Sequence, residues 1–122
     1  MRPTPGNSAY ASSKAALARI TDSIAAELVD YDIQIFCISP GLVRTEMTKN
    51  IPIFNDIPEH EWNKPQDVCR LVNELLTDTY KNLSGRFIHL DDDIEKLNAS
   101  LEKIESGGLY QLRMDNLKGP IE

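Results

Sequence analysis

"IQIFCIS", residues 33–39, is apolar at five of its seven positions and carries three isoleucines. A short, nearly continuous apolar run predicts a strand buried on both faces, as in parallel sheets covered by helices. Pro40-Gly41 end it sharply. Upstream, residues 8–29 predict a helix. Leu17, Ile20, Ile24 and Leu28 recur at steps of three and four and form one apolar stripe. Alanines at 11, 15, 18, 25 and 26 keep its other faces slim, which lets another helix approach. Asn7 or Ser8 suits the N-cap, residues 1–7 read as a loop, and "DYD", 30–32, is a short turn. Helix, turn and buried strand in this order form the second half of a βαβ unit.

Downstream, "VRTEM" starts a short helix that the prolines of "IPIFNDIP" break. A second helix is expected from Pro65 to about Thr77, with Val68, Leu71, Val72, Leu75 and Leu76 on its apolar face. "LSGRFIHL", 83–90, reads as a turn and a short strand. Asp91, Asp92 and Asp93 open a third helix, striped by Ile94, Leu97, Leu101 and Ile104 and stopped by Gly107-Gly108. The last fourteen residues read as extended or loosely ordered. Two parallel strands alone rarely make a stable sheet, and 33–39 would present an unpaired edge. The expected fold class is therefore α/β, the C-terminal part of a larger domain.

The 122 residues are 41% hydrophobic and 26% charged, an ordinary globular balance. A net charge of −6 argues against nucleic acid and anionic lipid as partners. No apolar run approaches the ~20 residues of a membrane span, and "MRPTPGNS" lacks the apolar core of a signal peptide. Cys37 and Cys69 read as reduced core thiols. Together these point to the cytoplasm.

The chemistry lies in "SAYASSKAAL", residues 8–17. Tyr10 and Lys14 are four apart and share a helix face. A free phenol, with a pKa of about 10, is a poor base at neutral pH. A neighbouring ammonium favours the phenolate, and a tyrosine so tuned exchanges protons near pH 7. The bland alternative is a surface tyrosine stacked on a lysine stem.

"PGNSAYASSKAAL", "ISPGLVRTEM", "KPQDVCRLVNELLTD" and "LSGRFIHLDDD" occur in that order. Together they resemble the short-chain dehydrogenase/reductase family over about residues 3–92. The resemblance implies the C-terminal half of a doubly wound, Rossmann-like parallel sheet, incomplete within this chain. Residues 1–92 would be part of a nicotinamide-dependent oxidoreductase domain, and 93–122 a C-terminal helix and tail. It implies Tyr10 as the catalytic acid/base. Lys14 would tune it and bind the nicotinamide ribose of NAD or NADP. Pro40 and Gly41 would shape the nicotinamide pocket, and the Val43 backbone and Thr45 hydroxyl would hold the carboxamide. The substrate would be a small alcohol or carbonyl, and the full-length form a homo-oligomer.

The family's substrate-binding serine lies further upstream of the tyrosine than the nine residues preceding Tyr10. Its glycine-rich pyrophosphate turn has no counterpart here either. The isolated chain is therefore expected to be inactive. "DYD" stands where a glycine commonly precedes the strand, and "LDDD" where Asp-Gly is common. An alternative function is an association module that pairs with an intact subunit through the 8–29 helix. Asp91–Asp93 read as a solvated helix N-terminus rather than a metal site. His60 and His89 carry no metal spacing. Trp62 reads as an anchor of the irregular loop, and Ile51, Ile53 and Phe54 as candidates to line a substrate pocket.

Overall fold

Helix α1 runs Ser8–Leu28 and continues as a 3₁₀ turn over Val29–Tyr31. The turn closes through Asp32, which takes a left-handed conformation at φ 52° and receives a side-chain hydrogen bond from Gln34. It lies in "DYD", the stretch where the family that the sequence resembles commonly has a glycine before the strand. Aspartate is among the few other residues that tolerate it. The computed structural model describes residues 5–113, 115–116 and 119–120. The loop expected over residues 1–4 lies outside them.

Strand β1 spans Cys37–Ser39, shorter than the 33–39 expected. Ile35 is held by the turn before the next strand: its N–H donates to Ser84 Oγ (3.1 Å) and its carbonyl accepts from Gly85 N–H (2.8 Å). Strand β2, Phe87–His89, pairs parallel with β1 in the register Cys37↔Phe87, Ile38↔Ile88, Ser39↔His89. Cys37 N–H donates to Arg86 O (3.1 Å) and Ser39 O accepts from Leu90 N–H (2.9 Å). Backbone groups alternate along a strand, so those of Ile38 face the opposite edge. All three β1 residues are half-buried rather than buried on both faces, and among the described residues β2 is the one strand that pairs with β1.

Helix α2 is the short Glu46–Lys49, and α3 is Pro65–Leu75 with proline in its first turn. The helix expected after Asp93 is broken into α4, Ile94–Asn98, and α5, Leu101–Ser106. Asn98 and Ser100 flank the break, and both types compete for backbone hydrogen bonds within a helix. Asp115–Asn116 (β3) and Gly119–Pro120 (β4) form a short antiparallel pair.

The core joins Leu71 and Leu75 of α3, Leu83, Ile88 of β2, Ile94 and Leu97 of α4 and Ile104 of α5. Phe36 and Ile38 pack against it. Leu76, expected on the α3 apolar face, caps the helix and is exposed. Cys69 is also exposed on α3 and Cys37 only half-buried, so the expectation of two core thiols fails, although both are free.

Ile88 points into the core, so Phe87 points to the other face of the sheet. There it borders a groove with Ala11, Ala15 and Ala18 of α1. The slim alanine face thus turns toward the sheet, with Ala11, Ala18 and Ala25 half-buried, and the leucine stripe is covered only at its C-terminal half, Ile24 and Leu28. Leu17 and Ile20 remain 51% exposed, while Thr21 and Asp22 are buried. At Gly85, φ +82°, a Cβ would lie 2.9 Å from Ala25 Cβ, so the approach there has no room for a side chain.

Gly85→Ala should lower unfolding free energy by about 1–3 kcal/mol, combining backbone strain with overpacking. Adding Ala25→Gly should recover the packing part, read in urea titrations. Ile88→Ala should cost about 2–5 kcal/mol as a cavity substitution.

Candidate active site

Tyr10 lies near the start of α1 and is 46% exposed. The helical spacing brings Lys14 beside it as expected: Lys14 Nζ lies 5.4 Å from the centre of the phenol ring. This is a cation–π contact with the ring face. It is also the geometry of the bland alternative, a tyrosine stacked on a lysine.

The second group of residues surrounds the exit of β1. Gly41 takes φ +66°, and a Cβ there would collide with the Asn63 side-chain amide and touch His89. Glycine is thus required twice, by backbone conformation and by close approach. Asn63 fastens the turn, with Nδ2 donating to Pro40 O (3.0 Å) and its backbone N–H to Leu42 O (2.7 Å). Val43 forms a parallel bridge with Asn63. In that pattern Asn63 bonds the neighbours of Val43, so Val43's own peptide groups point away from it: the carbonyl accepts a long hydrogen bond from Thr48 Oγ1 (3.4 Å), and the N–H has no hydrogen-bond partner among the described residues.

Thr45 caps α2. Its hydroxyl accepts from Thr48 N–H (3.3 Å), and its N–H donates to Thr48 Oγ1 (2.9 Å), a reciprocal capping box. The two hydroxyls also lie 3.5 Å apart, a long contact in which either can donate, so the Thr45 proton is at most weakly engaged. Beside it the Arg44 guanidinium lies 4.3 Å above the Trp62 ring and pairs with Glu59 at 2.5 Å. Trp62 is buried, donates to Ile57 O (3.3 Å) and meets Phe54 edge-on at 6.0 Å. Arg44, Thr45, Thr48, Phe54 and Trp62 border an open cavity of about 420 Å³. Ile51 and Ile53 do not line it and are exposed.

The structure therefore gathers Pro40, Gly41, Val43 and Thr45 into one loop cluster and Tyr10 with Lys14 into another. Among the described residues no hydrogen bond or ion pair joins the two groups. Asn63, Arg44 and His89 belong to the loop cluster and were not foreseen. Asn63 sits in a segment with no periodicity, so spacing gave no signal for it. Asp92 accepts from His89 N–H (2.7 Å) and Asp93 from Lys96 N–H (3.0 Å). These bonds fit a capped turn, and no group of metal-ligating side chains occurs among the described residues. No helix there is long and apolar enough to cross a membrane.

A family model described as enoyl-(acyl carrier protein) reductase matches residues 1–92. The chain belongs to the short-chain dehydrogenase/reductase family. It is similar to the 3-oxoacyl-[acyl-carrier-protein] reductase FabG of Thermotoga maritima, 30% identical over 93 residues, covering 71% of this chain and 38% of the relative. The 3-oxoacyl-[acyl-carrier-protein] reductase of Synechocystis sp. is 31% identical over 81 residues, 64% of this chain and 33% of the relative. The short chain dehydrogenase citE of Monascus ruber is 28% identical over 110 residues, 90% of this chain and 37% of the relative. The chain thus spans less than two fifths of the length of these relatives. No solved structure matches it. In family terms, the parallel sheet with helices on both faces is part of a Rossmann-like fold, incomplete in this chain.

Thr45→Val should remove the α2 cap at a cost of about 1 kcal/mol, while Thr45→Ser retains it. Amide exchange at Thr48 and Lys49 distinguishes the two: faster in the valine variant, unchanged in the serine variant.

Proposed function

We propose that these residues form the acid/base and nicotinamide-contacting part of an oxidoreductase that interconverts an alcohol and a carbonyl with NAD(H) or NADP(H). The observation that carries this reading is the constrained turn at Gly41. It leaves the Val43 N–H without a partner among the described residues, the Val43 carbonyl with only one long bond (3.4 Å) and the Thr45 hydroxyl with only a 3.5 Å contact to donate into, at the carboxyl end of a parallel strand. Doubly wound folds bind ligands outside such strand ends. An amide needs one acceptor and one donor, and this turn offers both. The nicotinamide end of the cofactor therefore fits the residues present.

Tyr10 would hand a proton to the carbonyl oxygen, or take one from the alcohol, at its Oη. Lys14 would leave the ring face and hydrogen-bond the ribose, a side-chain rotation that exposed residues make in picoseconds to nanoseconds. The bound cofactor supplies or accepts the hydride. Proton transfer by a positioned side chain contributes roughly 10²- to 10⁴-fold in rate. The six glycines form no glycine-rich turn of the kind that cradles a pyrophosphate. These 122 residues alone are therefore expected to give no turnover.

Two relatives are named for 3-oxoacyl groups on acyl carrier protein, which makes a 3-oxoacyl thioester the first carbonyl to assay. A cytoplasmic, homo-oligomeric enzyme acting on small molecules is the setting we infer. A second reading has its own support: the half-exposed Leu17 and Ile20 make α1 a surface for pairing with an intact subunit. Co-purification with a full-length relative, lost on Leu17→Ser/Ile20→Ser, would favour it.

The enzyme reading is tested in a protein that joins these residues to a cofactor-binding half. Tyr10→Phe should lower kcat by about 10²- to 10⁴-fold with cofactor affinity little changed. Lys14→Met should lower kcat and weaken cofactor binding together. Full turnover by Tyr10→Phe would overturn the assignment.

A further inference from the structure

The face of α1 that meets the sheet is a ladder of Ala11, Ala15, Ala18, Asp22 and Ala25, spaced by threes and fours. Asp22 is its one charged member, and its side chain is only 5% exposed. Two guanidinium groups meet the same carboxylate oxygen: Arg19 at 3.0 Å and Arg113 at 2.8 Å. Arg113 belongs to the segment that follows α5, beyond the residues matched by the family model. That segment returns across α1 and β2. Leu112 O accepts from Arg19 (2.6 Å), Leu109 O from Arg86 (3.1 Å) and Tyr110 O from the Phe87 N–H (2.7 Å).

We propose that residues 109–113 act as a strap that fixes the seating of α1 on the sheet, and that Asp22 is the positioning residue through which the strap holds the helix bearing Tyr10 and Lys14. An alanine face has no deep ridges to set helix rotation or axial register. The apolar stripe of α1 sets them only weakly, because Leu17 and Ile20 are half-exposed and Ile24 and Leu28 no more than half-buried. A nearly buried carboxylate carrying two charge-assisted bonds does have direction, and such bonds are the stronger kind. Strap and strand are coupled, because the Phe87 N–H that turns away from β1 is satisfied by Tyr110. Burial lowers the pKa of Arg86, with Arg113 adding to the effect and Glu105 and Asp22 opposing it. Loss of the Asp22 charge would therefore leave two arginines facing each other with less to offset them.

The test is amide hydrogen exchange on the full chain and does not depend on turnover, so its failure is separable from failure of the enzyme reading. Arg113→Gln should speed exchange at Phe87 and along residues 10–25 about tenfold, the size of one charge-assisted hydrogen bond. Leu75 in α3 should be unchanged. Arg113→Lys should restore much of the protection. Asp22→Asn should act at least as strongly. The double variant Asp22→Asn/Arg113→Gln should exchange no faster than Asp22→Asn alone, because both changes break one link. Unchanged exchange at Phe87 in Arg113→Gln would overturn the proposal. So would equal acceleration at Leu75, additive effects in the double variant, or no rescue by lysine. If Asp22→Asn fails to fold, the Arg113 variants decide alone.

Discussion

The parallel pairing of Cys37–Ser39 with Phe87–His89 is the constraint on which the rest of the structure depends. A parallel pair cannot be closed by a hairpin, so the chain between must cross over. That crossover carries α2 and α3 and brings Leu71 and Leu75 onto Ile88. In-register parallel strands also finish on the same side. This is why His89, at the end of β2, stands beside Gly41, just past the end of β1. The loop cluster around Asn63 is a consequence of that shared end.

Stabilisation is distributed unevenly over this frame. The buried apolar side chains belong to α3, β2, α4, α5 and the turn carrying Leu83. Helix α1 contributes none of them and is seated through alanines, Gly85 and the polar contacts of Asp22. Elements with little apolar burial open at lower free energy than the core. The helix that carries Tyr10 and Lys14 is thus the part whose placement depends most on directed polar bonds.

Much of this was legible in the residues. The α1 span followed from Leu17, Ile20, Ile24 and Leu28, and the start of α3 from Pro65. The parallel class followed from the nearly continuous apolar character of 33–39. The face that α1 presents did not, since periodicity says where apolar residues cluster and not whether anything covers them. The shortness of β1 was invisible as well, because Ile35 is captured by Ser84 and Gly85, far away in sequence. At the candidate site, Tyr10 and Lys14 carry a helical spacing, whereas Pro40, Gly41, Val43 and Thr45 are named only through the family resemblance. Asn63 acts through a fold contact with Pro40 and Leu42, which no spacing encodes.

We propose that the start of α1 and the exit of β1 serve one nicotinamide ring. The most direct measurement is an experimental structure of a cofactor-bound protein containing both segments. The carboxamide should then lie at the Val43 peptide and Thr45 hydroxyl, with Lys14 Nζ on the ribose, each within about 3 Å. A nicotinamide bound away from the Gly41 turn, with Lys14 still resting on the Tyr10 ring, would contradict it.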